Sequence, residues 1–339
     1  MKTEIFGTFG PACGSEEILE KMIELGMTGM RLNISHTTLA ESVEYINNYQ
    51  EAAKRSGVKP QILIDMKGPE LRVGTLRESI SIVESFSSKL LLCTQEEYDV
   101  LAENSCFIPV PQEVKKVLTP KDRLLVDDGK ILLEVQEIKK KGNISVSVIR
   151  GGILQSGKSI KIVDKLVPMP PLTKHDIENI KVANQYGVTA LMQPFVLHGD
   201  DLSYVRKVLK EYGVEDIQIF AKIENRIGVK NIQTILPEAD VIVIARGDLG
   251  NDMPLWELPR VQKEIEEICK KYHKPYVVVT QMLASMEENP VPTRAEVSDI
   301  FHAVYHGAWG VMLTGETAVG KYPVEAIRYM ANTVEQASK

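Results

Sequence analysis

The segment FAKIEN (220–225) joins the pattern of a buried strand to two charged side chains. Lys222 and Glu224 are two residues apart and therefore leave the same face of a strand. A second apolar run, VIVIA (241–245), continues directly into Arg246-Gly247-Asp248. A lysine, two carboxylates and a glycine turn at the ends of neighbouring strands suit a hard divalent cation and a phosphate group. A purely structural ion cluster would use similar residues, so these two segments alone leave that alternative open.

The composition is that of an ordinary soluble globular chain. Of 339 residues, 44% are hydrophobic and 25% charged, which allows a large core and more than one domain. The net charge of −6 argues against nucleic acid and anionic membranes as partners. No apolar run is long enough to span a bilayer, and the N-terminal residues lack the apolar stretch of a signal peptide. The four cysteines form no C-x-x-C pair, so we expect reduced thiols and a cytoplasmic protein.

Strand-like apolar runs alternate with helical patterns along most of the chain. We predict strands at residues 4–9, 29–35, 61–66, 190–195, 218–224, 241–245, 276–282 and 310–315. Helices are predicted near residues 15–26, 39–57, 173–187, 199–213, 226–237, 257–273, 293–307 and 322–339. Ser15, Thr173 and Thr293 mark helix N-termini, and Glu296 completes a capping box with Thr293.

This alternation predicts the fold class. Repeated strand–helix units imply a parallel sheet, and eight of them favour a closed (β/α)8 TIM barrel over a doubly wound open sheet. In such a barrel the C-terminal ends of the strands meet at one rim, where active sites lie.

One connection breaks the alternation. Between the third strand and the third helix lie roughly 100 residues, far more than a strand–helix loop needs. Residues 74–165 contain alternating and β-branched runs such as KILLEVQEI and NISVSVI, which predict an inserted all-β domain. The barrel is then formed by residues 1–73 and 166–339. An insertion after a barrel strand emerges beside the active site, so we expect a lid that excludes water, with an inert insertion as the alternative.

The barrel topology would bring polar residues from distant segments to one rim. The candidates at the predicted strand ends are Arg31, Asn33, Ser35, His36, Asp65, Lys67, Glu70, Arg72, Lys222, Glu224, Gly247, Asp248, Thr280, Gln281, Thr314 and Glu316. This convergence is more specific than any one motif.

The chemistry that these residue types favour is phosphoryl transfer. Glu224 and Asp248 supply hard oxygen ligands for a divalent cation, most plausibly Mg²⁺ or Mn²⁺. Lys222 and Arg31 offer positive charge to a transferring phosphoryl group. Backbone N–H groups around Gly247 can hold an anion at a helix N-terminus. Asn33, Ser35 and Asp65 would line a smaller, oxygen-rich pocket for a monovalent cation, although polar residues at strand ends often only satisfy backbone groups.

The chain resembles the pyruvate kinase family. The motifs that carry the resemblance occur in the family's order across almost the whole chain: TFGPA (8–12), MRLNISH (30–36), DMKGPELRVG (65–74), LLVDDG (124–129), AKIEN (221–225), ARGDLG (245–250), TQMLASM (280–286), PTRAEVSD (292–299) and LTGETAVGKYPVEA (313–326). The resemblance implies a catalytic barrel with a mobile β lid. It also implies exchange of a phosphoryl group between phosphoenolpyruvate and ADP, dependent on Mg²⁺ and K⁺.

The resemblance also implies residue roles. Lys222 would stabilise the phosphoryl group in flight, Arg31 would contact it, and Glu224 with Asp248 would hold Mg²⁺. Gly247 would offer its N–H to the substrate carboxylate. Thr280 would stand beside the enolate carbon in a proton relay through water.

Two further groups of residues match the family's ion and nucleotide sites. The K⁺ site would be formed by Asn33, Ser35, Asp65 and the carbonyl of Met66, with Glu70 matching the glutamate that accompanies K⁺ dependence. ADP or ATP would contact Pro11, His36, Arg72 and Lys158. Lys158 lies in SGKSIK, a degraded match to the family's lid motif, and an ordinary solvated lysine is the alternative.

The chain departs from the family pattern in several places. The resemblance does not extend to the family's C-terminal domain, which predicts no effector control through that domain and an assembly smaller than a tetramer. Pro194 and Leu197 replace a serine and an arginine near the rim, and His302 replaces an asparagine in the seventh helix. These changes leave the lysine, arginine and metal ligands intact while the nucleotide and lid periphery has drifted.

The expected partners are therefore small-molecule substrates and a second copy of the chain. A homodimer would use the seventh helix, where Phe301, His302, Tyr305 and the nearby Trp309 supply apolar area; ordinary barrel packing is the alternative. Two functional alternatives remain. The same chemistry could act on a different 2-oxo acid or nucleotide, or the chain could be a weakly active regulatory protein.

Overall fold

The computed structural model describes residues 3–35, 37–83, 90–101, 107–127, 129–139, 142–163, 165 and 167–339. Within these residues the chain forms two compact units, one of residues 1–68 and 171–339 and the other of residues 69–170. The boundaries differ from the predicted ones because residues 71–73 join the second unit. There the N–H of Val73 donates to Lys158 O at 2.7 Å, and the N–H of Ile160 donates to Leu71 O at 2.8 Å.

The first unit is a parallel barrel. Its strands are β1 (Glu4–Thr8), β2 (Gly29–Asn33), β3 (Ile62–Asp65), β12 (Ala190–Gln193), β13 (Gln218–Ile223), β14 (Val241–Ala245), β15 (Tyr276–Val279) and β16 (Gly310–Met312). They close in the order β1-β16-β15-β14-β13-β12-β3-β2, with every neighbouring pair parallel. The predicted (β/α)8 barrel is therefore confirmed.

The helices of this unit surround the barrel. Their bounds are α1 (Glu16–Glu24), α2 (Val43–Arg55), α5 (Lys174–Val182), α6 (Gly199–Glu211), α7 (Arg226–Lys230), α8 (Ile232–Ile235), α9 (Arg246–Asn251), α10 (Leu258–Lys271), α11 (Arg294–Tyr305), α12 (Gly315–Ala318) and α13 (Pro323–Ala337). The three predicted N-caps are confirmed: the Ser15, Thr173 and Thr293 side chains each accept a backbone N–H in the first turn. No described helix combines the length and the apolarity needed to cross a membrane.

The sequence pattern overestimated the lengths of most strands. The predicted strand 276–282 ends at Val279, because Thr280 and Gln281 adopt positive φ angles of 76° and 54° and leave the ladder. The predicted helix 226–237 is broken into α7 and α8 at Asn231. The short helix α9, which follows β14 without a loop, had no signal in the hydrophobic pattern.

The second unit is rich in β-structure. Its strands are β4 (Ile80–Ile82), β5 (Leu90–Cys93), β6 (Phe107–Pro109), β7 (Arg123–Val126), β8 (Ile131–Ile138), β9 (Ile144–Arg150), β10 (Gly152–Leu154) and β11 (Ile160–Ile162), with helices α3 (Gln95–Leu101) and α4 (Gln112–Val117). Within the described residues they form a six-stranded sheet, β11-β7-β8-β9-β5-β6, and the pair β10-β4. The unit has its own apolar core. Its function as a lid stays a prediction.

Two apolar layers stabilise the barrel unit. One lies between the strands and the surrounding helices. The other fills the barrel interior, where Phe6, Phe220 and Trp309 pack ring against ring at centroid distances of 6.0–6.4 Å. Trp309 therefore packs inside the barrel and does not supply the surface area that was considered for a dimer interface.

Candidate functional site

Four charged side chains meet inside the C-terminal end of the barrel. Asp65, at the end of β3, accepts from Arg31 Nε at 2.9 Å and from Arg31 Nη2 at 2.5 Å. Lys222 Nζ lies 3.1 Å from Asp65 Oδ1 and 2.9 Å from Glu224 Oε1. Strand pleating brings them together. Lys222 shares the inward face of β13 with Phe220. Arg31 shares a face of β2 with Asn33, which lies opposite Asp65 in the β2–β3 register.

Burial makes this cluster electrostatically strong. The side chains of Lys222 and Asp65 are only 13% and 4% exposed. Burial alone would lower the pKa of Lys222, but the charges of Asp65 and Glu224 outweigh it and raise that pKa. Burial likewise opposes ionisation of Asp65, while Lys222 and Arg31 bring the pKa of Asp65 below its usual value. Lys222 is therefore a fixed cation at neutral pH, fit to stabilise an anionic group.

Glu224 is a buried carboxylate whose two oxygens have different partners. Its Oε2 accepts the backbone N–H of Phe195 at 2.8 Å. Its Oε1 is buried and forms an ion pair with Lys222 Nζ at 2.9 Å. Burial and the charge of Asp248 together raise the pKa of Glu224 against the opposing effect of Lys222. A buried carboxylate beside the charge of Asp248 is a place where a cation would be stabilised.

Asp248 reaches the site from α9. The strand β14 passes directly into this helix, so Asp248 lies in the first helical turn and is exposed, whereas Glu224 is buried. The residues fit Mg²⁺, which usually takes one or two protein carboxylates and fills its other positions with water and substrate oxygens. The described part of the chain contains no group of three or more His, Cys, Asp or Glu residues arranged to hold a metal.

Thr280 and Gly247 lie against each other across the ends of β14 and β15. A Cβ added to Gly247 would lie 3.2 Å from Thr280 Cγ2 and 3.7 Å from its Oγ1. Thr280 itself has a φ of 76°, an unfavourable region for a β-branched residue, where strain costs about 1–3 kcal/mol. Strained backbone of this kind is concentrated at functional sites.

Arg246 holds this loop, a role that was not predicted. Its Nη2 and Nε donate to Thr280 O at 2.7 and 3.2 Å, and its Nη1 lies 2.6 Å from Asp299 Oδ2. Thr8 was also missed: its hydroxyl lies 3.4 Å from Arg31 Nη1. An arginine directly after a buried strand was a usable signal for Arg246, but its target could not be read from the sequence because it lies more than 30 residues away.

The proposed monovalent-cation residues are only partly brought together. Asn33 and Asp65 face each other in the β2–β3 register, and Ser35 follows two residues later. Asn33 Oδ1 accepts the backbone N–H of Ser35 at 3.1 Å, and both oxygens of Asp65 already contact cationic side chains. Glu70 lies in the second unit and pairs with Arg72 at 2.6 Å.

The proposed nucleotide contacts are divided between the two units. Pro11 is exposed in the loop after β1. His36 lies outside the described residues. In the second unit Arg72 Nη1 donates to Gly157 O at 2.7 Å, and Lys158 Nζ lies 3.0 Å from Asp127 Oδ1. Arg72 and Lys158 therefore have internal partners that a phosphate would have to replace.

Other rim residues are structural. Glu316 is buried and accepts the backbone N–H groups of Leu283 and Thr314, at 3.0 and 2.7 Å. Asp176, which the sequence analysis did not single out, accepts the N–H groups of Lys67 and Gly68 at 2.8 and 3.1 Å. These carboxylates shape the rim loops.

Comparisons with known proteins place the chain in a family. The sequence profile of the pyruvate kinase barrel domain matches residues 1–327. The pyruvate kinase of Geobacillus stearothermophilus is 40% identical over 97% of this chain, and that of Bacillus licheniformis is 38% identical over 100% of this chain. The pyruvate kinase of Chlamydia muridarum is 36% identical, again over the full chain.

The chain spans 56–57% of the length of the first two relatives and 69% of the third. The matched region includes every residue of the charged cluster, of α9 and of the Thr280 loop. The chain therefore belongs to the pyruvate kinase family.

Proposed function

We propose that this chain transfers a phosphoryl group between phosphoenolpyruvate and ADP, with Mg²⁺ and K⁺ as cofactors. The observation that carries the proposal is the buried cluster in which Lys222 pairs with both Asp65 and Glu224, so that a charged ammonium lies beside a carboxylate suited to a cation. Phosphoryl transfer needs positioning and fixed positive charge more than covalent chemistry from the protein, and this cluster supplies both.

Each residue has a definite task in this proposal. Arg31 and Lys222 hold the phosphoryl oxygens and offset their charge while the bond to the enol oxygen breaks and the bond to the ADP oxygen forms. Gly247 donates its N–H to the substrate carboxylate. Thr280 takes part in delivering a proton to the enolate carbon, which completes pyruvate. Family membership and the close approach of Thr280 to Gly247 support the last two assignments.

Glu224 and Asp248 would hold Mg²⁺ or Mn²⁺. A bound divalent cation supplies charge neutralisation between phosphoryl and carboxylate oxygens. The K⁺ site would use Asn33, Ser35, Asp65 and the Met66 carbonyl. Hard oxygen donors paired across β2 and β3 support this assignment.

The nucleotide would be held by Pro11, His36, Arg72 and Lys158. Arg72 and Lys158 retain partly exposed side chains, at 33% and 31%, so their charges are accessible to phosphate. This assignment rests on family membership more than on local geometry.

A homodimer remains our proposal for the assembly. On α11 the ring of Phe301 stacks on that of Tyr305 at 6.0 Å, and Tyr305 is 69% exposed. An exposed tyrosine stacked on a partly buried phenylalanine suits a self-complementary patch. Light scattering at several concentrations should give twice the chain mass, falling towards one on Tyr305→Glu; a strict monomer in the wild type would contradict the proposal.

The decisive experiment is a coupled assay of pyruvate formation. Purified protein is supplied with phosphoenolpyruvate, ADP, Mg²⁺ and K⁺, and we expect turnover that ceases on chelation. Replacing K⁺ by a bulky organic cation should lower the rate. Equal rates in both salts would reject the K⁺ site while leaving the divalent site intact.

Two controls separate the alternatives. A panel of other nucleoside diphosphates and enol phosphates tests whether the same chemistry serves another substrate. Absence of turnover with every pair would reject the enzyme proposal and favour a regulatory protein. Contaminating kinase is excluded when Lys222→Met, purified in the same way, loses the activity.

A further inference from the structure

We propose that Arg246 is a positioning residue that holds Thr280 and Gln281 in their strained backbone conformation and thereby sets the Thr280 side chain against Gly247. The inference rests on the proposed phosphoryl transfer and deepens it. Arg246 does not touch substrate in this proposal; it acts through Thr280.

The first observation is the strain itself. Thr280 and Gln281 are consecutive non-glycine residues with φ angles of 76° and 54°. L-residues rarely occupy this region, and a β-branched threonine is particularly disfavoured there. Two such residues in succession persist only when surrounding contacts enforce the conformation.

The second observation is that the Arg246 guanidinium makes those contacts. Nη2 donates to Thr280 O at 2.7 Å and to Gln281 O at 3.4 Å, while Nε donates to Thr280 O at 3.2 Å. The same Nη2 also reaches Met282 Sδ at 2.9 Å. One planar group therefore binds three successive residues of the loop, an arrangement that the ammonium of lysine cannot reproduce.

The third observation is that the guanidinium is itself fixed. Its Nη1 pairs with Asp299 Oδ2 of α11 at 2.6 Å, and the Arg246 side chain is only 11% exposed. Hydrogen bonds from a charged guanidinium are stronger than those between neutral groups. The next anchor along the loop, from Glu316 to the N–H of Leu283, lies beyond the strained pair and does not restrain it directly.

Arg246 connects the Thr280 loop to the proposed metal-binding helix. Arg246 immediately precedes Gly247 and Asp248 in α9, so the guanidinium ties the Thr280 loop to the helix that carries the proposed carboxylate and metal contacts. Small displacements of reacting groups cost large factors in rate. Loss of Arg246 should therefore lower the rate of the chemical step more than it weakens substrate binding.

The test is a set of variants assayed for kcat and KM. Arg246→Met should lower kcat by about 10- to 100-fold with KM for phosphoenolpyruvate changed less than about threefold. Arg246→Lys should recover only part of the loss. Gln281→Gly should restore kcat in the Arg246→Met background, because glycine adopts positive φ without strain, and should change little when Arg246 is present.

A double-mutant cycle with Thr280→Ala tests whether Arg246 acts through Thr280. In that background Arg246→Met should cost less than about threefold further, because the group being positioned is already gone. Full additivity, failure of glycine to rescue, or a loss confined to KM would each overturn the proposal.

Arg206 provides a matched control. Its Nη2 donates to Glu238 O at 2.8 Å and to Asp240 Oδ2 at 3.0 Å, the same backbone-plus-carboxylate bridge away from the rim. Arg206→Met should lower thermal stability and leave kcat unchanged. An equal fall in kcat would show that losing any bridging arginine suffices and would overturn the specific role of Arg246.

The outcome can be separated from that of the proposed function. If the wild-type protein turns over no substrate, the proposed function fails. Thermal unfolding then still tests whether Arg246 holds Thr280 and Gln281 in their strained conformation. Arg246→Met should then melt lower than wild type, and the added Gln281→Gly should raise the midpoint again. If Arg246→Met does not fold, the Arg246→Lys pair is compared in the same way, and no recovery by glycine rejects the claim.

Discussion

Two residues of β13 show how differently the two ends of the barrel interior are used. Phe220 and Lys222 share one face of one strand. Phe220 packs against the rings of Phe6 and Trp309, and this burial stabilises the fold. Lys222 is surrounded by Asp65 and Glu224, where desolvation consumes most of what the ion pairs contribute. The end of the interior around Phe220 stabilises the fold, while the end around Lys222 positions charged groups for the proposed reaction.

The charged end is also one-sided. It draws on β2, β3 and β13, whereas the inward residues of β14 and β15 stay apolar up to Ala245 and Val279. Polar groups on that side come instead from α9 and from the loop after β15. The strands thus supply the fixed charges of Arg31, Asp65 and Lys222. The helix α9 and the loop after β15 supply Gly247 and Thr280, which lie against each other.

The largest expected effect is on Lys222. Lys222→Met should lower the rate of phosphoryl transfer by about 10³-fold or more, because a charge that acts mainly in the transition state is lost. Asp65 and Glu224 lose their shared cation, so the thermal midpoint should fall, but the unbranched methionine fills similar space and circular dichroism with gel filtration should still show a folded protein. Lys21→Met, which removes an exposed lysine paired with Glu17, is the control and should be fully active. Near-normal turnover of Lys222→Met would contradict the role of the charged end of the barrel in phosphoryl transfer.

Phe220→Ala should have the opposite profile. Deleting a buried ring costs about 3–5 kcal/mol of unfolding free energy, measured by urea denaturation. The rate per folded molecule should stay within a few-fold of wild type, since the residue contacts no proposed reacting group. Phe301→Ala, on the partly exposed α11 surface, should cost much less. A large loss of kcat in folded Phe220→Ala protein would show that the two ends are coupled.

Glu224→Gln sharpens the comparison at the metal site. Mg²⁺ should raise the thermal midpoint of the wild type and leave that of the variant unchanged, because the variant lacks the negative charge of a proposed ligand. Differential scanning fluorimetry with and without chelator measures this. A Mg²⁺ response that survives in the variant would place the cation elsewhere.

The pH dependence of the same pair has a definite sign. The pKa of Glu224 is raised above its ordinary value of 4.5 by burial and by Asp248, so Glu224 is protonated more readily in the folded state than in the unfolded chain. Without metal, its contribution to stability is full below about 4.5 and is lost as the pH rises through the folded pKa. Glu224→Gln should therefore gain stability relative to wild type as the pH increases towards neutral. A constant difference across that range would contradict the assignment.

The smallest expected effect is on Gly247. In Gly247→Ala the new methyl lies 3.2 Å from Thr280 Cγ2, so the loop must shift by a few tenths of an ångström. We expect a loss of rate below about tenfold, since displacements near 1 Å cost on the order of 10²-fold. Gly213→Ala, where no atom lies within 4 Å but φ is 67°, controls for general glycine replacement and should affect stability alone. Unchanged kcat in Gly247→Ala would show that the Thr280 contact is not restrictive.

Local signals were sufficient for much of the fold. The Thr293–Glu296 capping box was predictable because both partners lie within four residues. The pairing of Lys222 with Glu224 was predictable because strand geometry places alternate side chains on one face. The end of β15 was not, since the apolar pattern continues into Met282 while Thr280 leaves the ladder under contacts from Arg246.

The amino-acid sequence by itself determined the eight strand–helix units, the helix starts and the family, because these depend on periodicity and neighbouring residues. Only the tertiary structure decided that Asp65 binds Arg31 and Lys222 together, that Glu224 accepts the N–H of Phe195, and that Arg246 holds the Thr280 loop. Those partners are separated by tens to more than 150 residues, and closure of the barrel brings them within hydrogen-bond distance. Burial then sets their pKa values, since the same side chains in water would interact weakly.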